Sequence, residues 1–459
     1  MSEPIFIARQ DTLEQEILPA HWLAQYKLFG EESYTFQDKG IWKKLCMSSA
    51  AANDRDIHAE ALEEMLTTFS AEHTGKWMLL VYGMDAAVLE GLASMAAIAA
   101  NGTAMAAVAG NALLMHAIAN SETAMQAISR SQTAMQRIAN STTAMDAISG
   151  SRIARGAVQA SPYYNSCIKE NDMAIAKLAV ALANLESAGY SGMAGVAADS
   201  TAMTAVAASA TAMTAVAASA TAMTAVAASA TAMTAVAASA TAMTAVAASA
   251  TAMTAVAASS VARNAISASP YYDEKIKEND MAIAKLVVGF ANLASANYSS
   301  MAGVVADATA MTAVAASSTA MTAVAASSTA MTAVAASSTA MTAVAASATA
   351  MGKIAAVDAA LSKLAASTTA MDALYARKKK LNGGSASKSG KFIILEISQS
   401  NAFNTSKYGY ATLSDGSKPD WSSYLAKYAF FQKYPKYATY MLNDTDSDDY
   451  IYYFDIASP

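Results

Sequence analysis

Hydrophobic and polar positions repeat along the middle of the chain with a period of ten. Six near-identical copies of Ser-Ala-Thr-Ala-Met-Thr-Ala-Val-Ala-Ala run from Ser200 to Ser259 and set Met203, Met213, Met223, Met233, Met243 and Met253 ten residues apart. More divergent copies extend from about Gly91 to about Ala376, so fixed-period self-similarity governs nearly two thirds of the 459 residues. Counting Ser121 as position 1, Met or Leu holds position 5, Val or Ile holds position 8, and Ala nearly always holds position 4. Positions 2, 6 and 10 collect the polar variety: Glu122, Gln126, Arg130, Gln132, Gln136, Asn140, Thr142 and Asp146. Positions 1, 4, 5 and 8 make an i, i+3, i+4, i+7 apolar face with the polar stripe opposite. The pattern predicts one amphipathic helical piece per decad, with Met203, Val206, Met213, Val216, Met321 and Val324 in the repeat core.

Helical arithmetic decides whether the pieces join. Ten residues at about 100° each leave the face rotated by roughly −80° per repeat, so a straight helix would carry its apolar stripe around the axis in about four to five decads. Holding the stripe on one side would take about 3.3 residues per turn, tighter than an ordinary coiled coil. Asn101-Gly102, Asn120-Ser121, Asn140-Ser141 and Gly150-Ser151 instead pair a residue suited to a left-handed helix end with a residue that caps the next helix. Ser161-Pro162 and Ser269-Pro270 suit N-cap and N1, and proline within a continuous helix would cost about 3 kcal/mol. The expected fold is mainly α: short zigzag helices, two to a layer, stacked into a decapeptide-repeat α-solenoid. A small globular amino-terminal domain and a β-rich α+β carboxyl-terminal domain flank it. A continuous oligomeric coiled-coil shaft is the alternative, because Ala is a poor left-handed residue at the Ala-Ser corner.

A longer duplication overlies the decads. Ser161-Pro162-Tyr163-Tyr164 and Lys169 to Leu178 recur 108 residues later as Ser269-Pro270-Tyr271-Tyr272 and Lys277 to Leu286. Asn171 and Asn279 read as N-caps of longer helices, the first running towards Ser187 and stopping before Gly189. Each insert resets the repeat phase and predicts a node or bend, with the Tyr pairs as packing residues. The expected organisation is a docking domain at 1–85, a shaft at 86–376 with inserts at 151–199 and 259–307, a flexible Lys/Gly/Ser linker at 377–390, and an aromatic tip domain at 391–459.

In the amino-terminal piece, Asp56 to Phe69 reads as an amphipathic helix, and His58, Glu60, Glu63 and Glu64 as its solvated face. In the tip, Phe392 to Ile397 reads as a strand, Asp415-Gly416 as a turn, and Tyr437 to Leu442 with Tyr450 to Ile456 as a hairpin. Tyr and Trp crowd this piece beyond what a core requires, and Trp421, Tyr424, Tyr434 and Tyr437 are candidates for surface binding. Asp444, Asp446 and Asp448, with Asp455 at the twelfth position, form a weak calcium candidate. Asp449 stands where the sharp turn needs Gly, so a solvated hairpin tip is the default reading.

Composition removes several classes. A net charge of −6 gives no electrostatic case for nucleic acid, and Lys378 to Lys380 read as a solvated shaft end. The two cysteines, Cys46 and Cys167, exclude a disulfide scaffold and lack metal spacing. No basic region followed by an apolar one opens the chain, so no signal peptide is expected. The uncharged run from Ser200 to Ala262 is dominated by Ala, Ser and Thr, which argues against a membrane span. No nucleophile elbow, phosphate loop or paired His/Cys set is present, so no catalytic residue and no cofactor are expected.

The Thr-Ala-Met-x-Ala-Ile/Val decads between a globular amino end and a compact β-rich carboxyl end resemble repeat-containing tail-fibre and appendage proteins of bacteriophages. The resemblance covers residues 91 to 376. It implies a structural fibre, made in the cytoplasm without a signal peptide and working on a virion or extracellular appendage. It further implies a virion or tail component as partner at the amino end, a host or surface receptor at the carboxyl end, with a glycan as one candidate, and a homo-oligomer. Two other readings stay open. One is a self-assembling structural filament or cell-surface adhesin. The other is an ice-binding protein, whose flat face would come from Thr at positions 3 and 6.

Overall fold

The computed structural model describes Leu92 and residues 94–398, 409–421, 425–444 and 449–459. The expected amino-terminal domain at 1–85, with His58, Glu60, Glu63 and Glu64, lies outside the described residues, as do Tyr424, Asp446 and Asp448. The chain divides into two compact units, Met1–Ala235 and Val236–Pro459.

Each decad folds as one helix of eight or nine residues, such as Ala210–Ala218 or Ala308–Ala316, and no helix among the described residues exceeds eleven. The chain is a run of short consecutive helices rather than one continuous helix. A serine caps the helix after most corners, with Asn101, Asn111, Asp199, Asp307 or Val357 in its place at the others. Ser219, at φ −96° and ψ 124°, donates its amide to the Val216 carbonyl that ends one helix, and its hydroxyl accepts the Ala222 amide that starts the next. That residue is C-cap and N-cap at once. The helices bend by 102° between Ser200–Ala208 and Ala210–Ala218 and by 99° between Ala308–Ala316 and Ser318–Ala326. Because the corner residue is extended, no left-handed residue is needed. Asn101, expected in a left-handed end, is itself an extended N-cap at φ −92°. The weak left-handed propensity of Ala is therefore never called upon.

The stacking differs from the two-per-layer zigzag that the sequence suggested. In the first unit Gly102–Gly110 packs on Gln132–Ala139, and in the second Ala308–Ala316 packs on Ser338–Ala345. Within each unit the decad helices thus meet the third one after them, which is three helices per layer. The corner hydroxyl closes this arrangement by donating to a carbonyl 32 residues earlier: Ser131 to Ala99 at 2.6 Å, Ser141 to Ala109 at 2.5 Å, Ser229 to Ala197 at 2.6 Å and Ser347 to Ala315 at 2.6 Å. Met203, Val206, Met213 and Val216 in the first unit, and Met321 and Val324 in the second, are fully buried between layers. Each such side chain contributes about 1.5–3 kcal/mol that an isolated nine-residue helix could not obtain. Ala at positions 4 and 9 is buried too, and its small size lets the layers approach.

The inserts continue the stack. In the first unit Asp172–Leu182 packs on Thr142–Gly150 before it and on Ala210–Ala218 after it. It ends at Leu182 rather than near Ser187, because Asn184 at φ 60° turns left-handed and lets Leu185 donate back to Val180. In the second unit Asn292 at φ 58° ends Asp280–Phe290 in the same way. Ser161-Pro162 does not open an α-helix. A π-helical turn, Tyr164–Ile168, follows it.

The second unit ends in an antiparallel sheet of β1 (Lys379–Asn382), β2 (Ala386–Ser398), β3 (Gly409–Leu413), β4 (Asp420–Trp421), β5 (Ala438–Asn443) and β6 (Tyr450–Asp455), in the order β1-β6-β2-β5-β3-β4. Two expectations fail here. Residues 377–390 are not a linker: most of them are β1 and the start of β2, and Gly383, Gly384 and Ser385 merely join the two strands. Lysines on a short outer strand are a usual device for discouraging edge pairing, so a basic, polar composition did not exclude a strand. Nor do β5 and β6 form a hairpin, because β2 runs between them and pairs with both. Ile393, Leu395, Phe431, Phe454 and Ile456 share one core with Leu374 of the last repeat helix, Thr368–Tyr375, so the sheet packs directly on the end of the stack. Lys436 to Asp358 at 2.7 Å and Lys427 to Asp372 at 3.1 Å reinforce that seating.

Candidate functional site

Two places bring chemistry-bearing side chains together: the duplicated inserts and the sheet. In the insert of the first unit, Asn171 caps Asp172–Leu182 and Asp172 reaches across the loop to accept the Met193 amide at 2.9 Å. The Tyr190 hydroxyl donates to Asp199 at 2.7 Å, and Asp199 in turn caps Ser200–Ala208. Glu170 reaches furthest, accepting the amides of Ala220 at 3.2 Å and Thr221 at 3.0 Å and both adjacent hydroxyls at the start of Ala220–Ala228. A carboxylate there also meets the positive end of the helix dipole. The second unit repeats the set with Asp280 to Met301, Tyr298 to Asp307, and Glu278 to Ser328 and Thr329.

Electrostatics follow this geometry. Burial pushes the Glu170 and Glu278 carboxyls up, but the amides and hydroxyls facing them, with Lys169 and Lys277 adjacent, outweigh it and hold both below the usual carboxylate value. The Ala202 amide and the Tyr190 hydroxyl lower Asp199, and the Ala310 amide and the Tyr298 hydroxyl lower Asp307. Burial, with Asp273 and Glu278 nearby, pushes the Tyr272 hydroxyl up to about 12. One lysine in each insert is enclosed. Lys177 is 0% exposed, with Nζ 2.5 Å from Asp146 and 3.1 Å from the Ser187 carbonyl, whereas Lys285, 2% exposed, faces the carbonyls of Ser295 at 2.9 Å and Ala296 at 3.3 Å. These groups bind backbone, and what they do chemically is fix the loop of the insert against its neighbours.

On the sheet, lysines lie over tyrosine rings on the side that faces the stack. Lys378 Nζ stands 4.1 Å from the Tyr375 centroid and 5.0 Å from that of Tyr452, Lys427 stands 4.4 Å from Tyr375, and Lys380 stands 4.8 Å from Tyr450. Tyr375 meets Tyr452 and Tyr428 edge-on at 5.9 and 5.8 Å, and its hydroxyl donates to Glu396 at 2.5 Å. Burial and that carboxylate raise the Tyr375 pKa well above its ordinary value. Tyr375, Tyr450 and Tyr452 remain half-buried and Lys380 and Lys427 exposed, so the cluster is open to a ligand with anionic and ring-stacking groups.

The residues singled out from sequence fall elsewhere. Trp421 is 3% exposed and edge-on to Phe430 at 5.7 Å, so it belongs to the core of the sheet and not to a contact surface. Tyr434 leans on Phe430 at 5.2 Å, and Tyr437 lies half-buried at the rim of the helix–sheet core with Lys391 over it. Asp444 hydrogen bonds to Ser385 beyond the end of β5, level with the start of β2, while Asp455 sits opposite Phe392 and binds Lys379 and the amides of Ala457 and Ser458. The proposed calcium ligands Asp444 and Asp455 therefore do not converge. Among the described residues no three His, Cys, Asp or Glu side chains are grouped to hold a metal ion, and no single helix is long and apolar enough to cross a membrane. The position-6 threonines donate their hydroxyls to the carbonyl four residues back, as Thr204 does to Ser200 at 2.7 Å.

Sequence reasoning missed Glu170, Asp172, Lys177, Tyr190 and Asp199. Their signal was recurrence of charge, at the same 108-residue offset, around decads that carry almost none. No protein-family model matches the chain, and no curated protein matches it.

Proposed function

We propose that the chain is a structural spacer of a virion or injection device: a decapeptide α-solenoid with three helices per turn, holding a surface-binding sheet domain away from an amino-terminal attachment point. The observation that carries this reading is the 32-residue hydrogen bond from corner serine to an earlier layer, repeated along the decads. Within each unit it ties one layer to the next at many of the corners, which favours a stiff stack over a simple array of packed helices. The shared core between Leu374 and the sheet supports a head seated on its shaft rather than tethered to it. The lysine–tyrosine cluster supports the contact role of that head.

The spacer reading is tested by inserting twelve consensus decads after Ser229, about four extra layers at about 8–10 Å each. Negative-stain images should show a rod longer by roughly 32–40 Å, with the head's binding to whole host cells retained. An unchanged length or a collapsed particle would sink it.

A further inference from the structure

In the first unit, helices Glu122–Ser129 and Arg152–Gln159 flank an open groove of about 780 Å³. Departures from the consensus decad make it. Position 6 is Gly156 instead of Thr, which removes a side chain from the wall, and position 3 is Ile153, which is 44% exposed. Position 2 is Arg152, and Arg130 takes position 10 of the facing decad. Arg155, in the place of a core Met, turns away to the Ser149 carbonyl at 2.5 Å. Neither the Arg130 nor the Arg152 guanidinium has an ion pair among the described residues. The groove thus offers two uncompensated cations, against one Glu122, beside an apolar wall of Ile153, Ala157 and Pro162.

Its complement is in the same chain. Fifteen Asp and Glu against seven Lys and Arg give residues 1–91 a net charge of −8, so the remainder of the chain carries +2. Half of that −8 lies in Asp56–Phe69, where Asp56, Glu60, Glu63 and Glu64 occur with no Lys or Arg among them and alternate with Ile57, Leu62, Leu66 and Phe69. The described chain resumes beside the groove, because Met95–Ala100 packs on Glu122–Ser129, one of its two walls. The 22 residues between Phe69 and Leu92 can span about 70 Å, so reach imposes no limit. We propose that the acidic amphipathic stretch Asp56–Phe69 docks into this groove. Its carboxylates meet Arg130 and Arg152, whose planar guanidinium groups suit bidentate carboxylate pairing. Its apolar residues cover Ile153 and Pro162. The amino-terminal piece would then be clamped to the side of the first decads.

The test uses the full chain with a benzophenone amino acid replacing Ile153 or, separately, Gln126, irradiated at high dilution and mapped by mass spectrometry. The expected result from both positions is an intramolecular cross-link to residues 56–69. Its yield should fall several-fold in Arg130→Glu/Arg152→Glu and recover when Glu60→Lys/Glu63→Lys is added. It should also fall as ionic strength rises from about 0.1 to about 1 M, where the screening length shrinks from about 10 to about 3 Å. Cross-links to another segment or to a second copy, no cross-link from either position, or a yield indifferent to charge reversal would each overturn the proposal. An unchanged circular-dichroism melt of the charge-reversed chain shows that the stack itself is intact.

Discussion

Lys177 and Asp146 meet at 2.5 Å across 31 residues of chain, and 108 residues later their counterparts are Lys285 and Thr254, a lysine enclosed with no carboxylate at the matching place. Asp146→Ala leaves a fully buried ammonium with only carbonyl partners and should destabilise the first unit by about 1–3 kcal/mol. Thr254→Asp should do the reverse in the second unit. Burial holds Lys285 below its usual 10.5, so between the lowered folded value and 10.5 the unfolded chain binds more protons and stability rises with pH. Denaturation of Thr254→Asp against the parent from neutral to alkaline pH should show the parent gaining on the variant. A parallel pair of curves would contradict the account.

Corner serines should matter far more than serines one position along. Ser229→Ala removes both the cap on the Ala232 amide at 3.2 Å and the bond to Ala197 at 2.6 Å, an expected loss of about 2–3 kcal/mol. Ser318→Ala, at an exposed position 2, should stay within about 0.5 kcal/mol. Urea denaturation, with hydrogen exchange of the Ala232 amide, reads the difference. Equal effects would remove the special role of the corner.

Replacing a helical glycine with alanine usually stabilises a helix by about 0.5–1 kcal/mol. Gly289→Ala should do the opposite, because a Cβ there would stand 2.5 Å from the Ala257 carbonyl oxygen and 2.9 Å from Ala257 Cα, both backbone. An expected loss of about 1–3 kcal/mol follows from the displaced helix. A raised melting temperature would show that the two helices separate more easily than their packing implies.

The inserts should loosen in acid. Glu170, Glu278, Asp199 and Asp307 all have lowered folded values, so their contribution is complete above the ordinary 4.5 and 3.8 and is lost as pH falls through the lowered values. Melting temperature should drop steeply below about pH 4.5, and Glu170→Gln/Glu278→Gln should flatten that part of the profile. The same slope with and without the glutamines would mean that the carboxylates contribute nothing to the inserts.

On the proposed surface-binding reading of the sheet domain, Lys378→Ala/Lys380→Ala should weaken attachment to cells several-fold while leaving the melt nearly unchanged, since neither side chain is in the core. Trp421→Ala should cost about 3–5 kcal/mol and reduce attachment only through unfolding. If Trp421→Ala abolishes binding in a chain that still melts like the parent, the contact surface lies on the other face of the sheet.

The coarse fold was legible: a period of ten that could not keep one face of a continuous helix predicted short consecutive helices, and a β-rich carboxyl end followed them. Three helices per layer were not legible, because the period records only where corners fall, while the 32-residue offset depends on how corner serines meet earlier carbonyls. The sheet order was equally hidden. Tyr437 to Leu442 and Tyr450 to Ile456 look adjacent when read locally, yet β2 is drawn between them by burial of Phe392, Ile394 and Ile397. The linker misreading has the same root: Lys379, Lys380 and Ser387 are polar because they lie in outer or exposed strand positions, not because the segment lacks structure.

The recurring 32-residue span also bears on how such a chain comes off the ribosome. Away from the inserts, where the span shortens to 27 residues at Ser209 and Ser317, a helix finds its closing partner only when the fourth decad has emerged, and later decads close loops of the same length. Loop-closure entropy per layer is then independent of how many decads the gene encodes, and relative contact order falls as the array grows. Lengthening such an array adds mass without adding a slower search, which leaves duplication of the decad unopposed by folding kinetics.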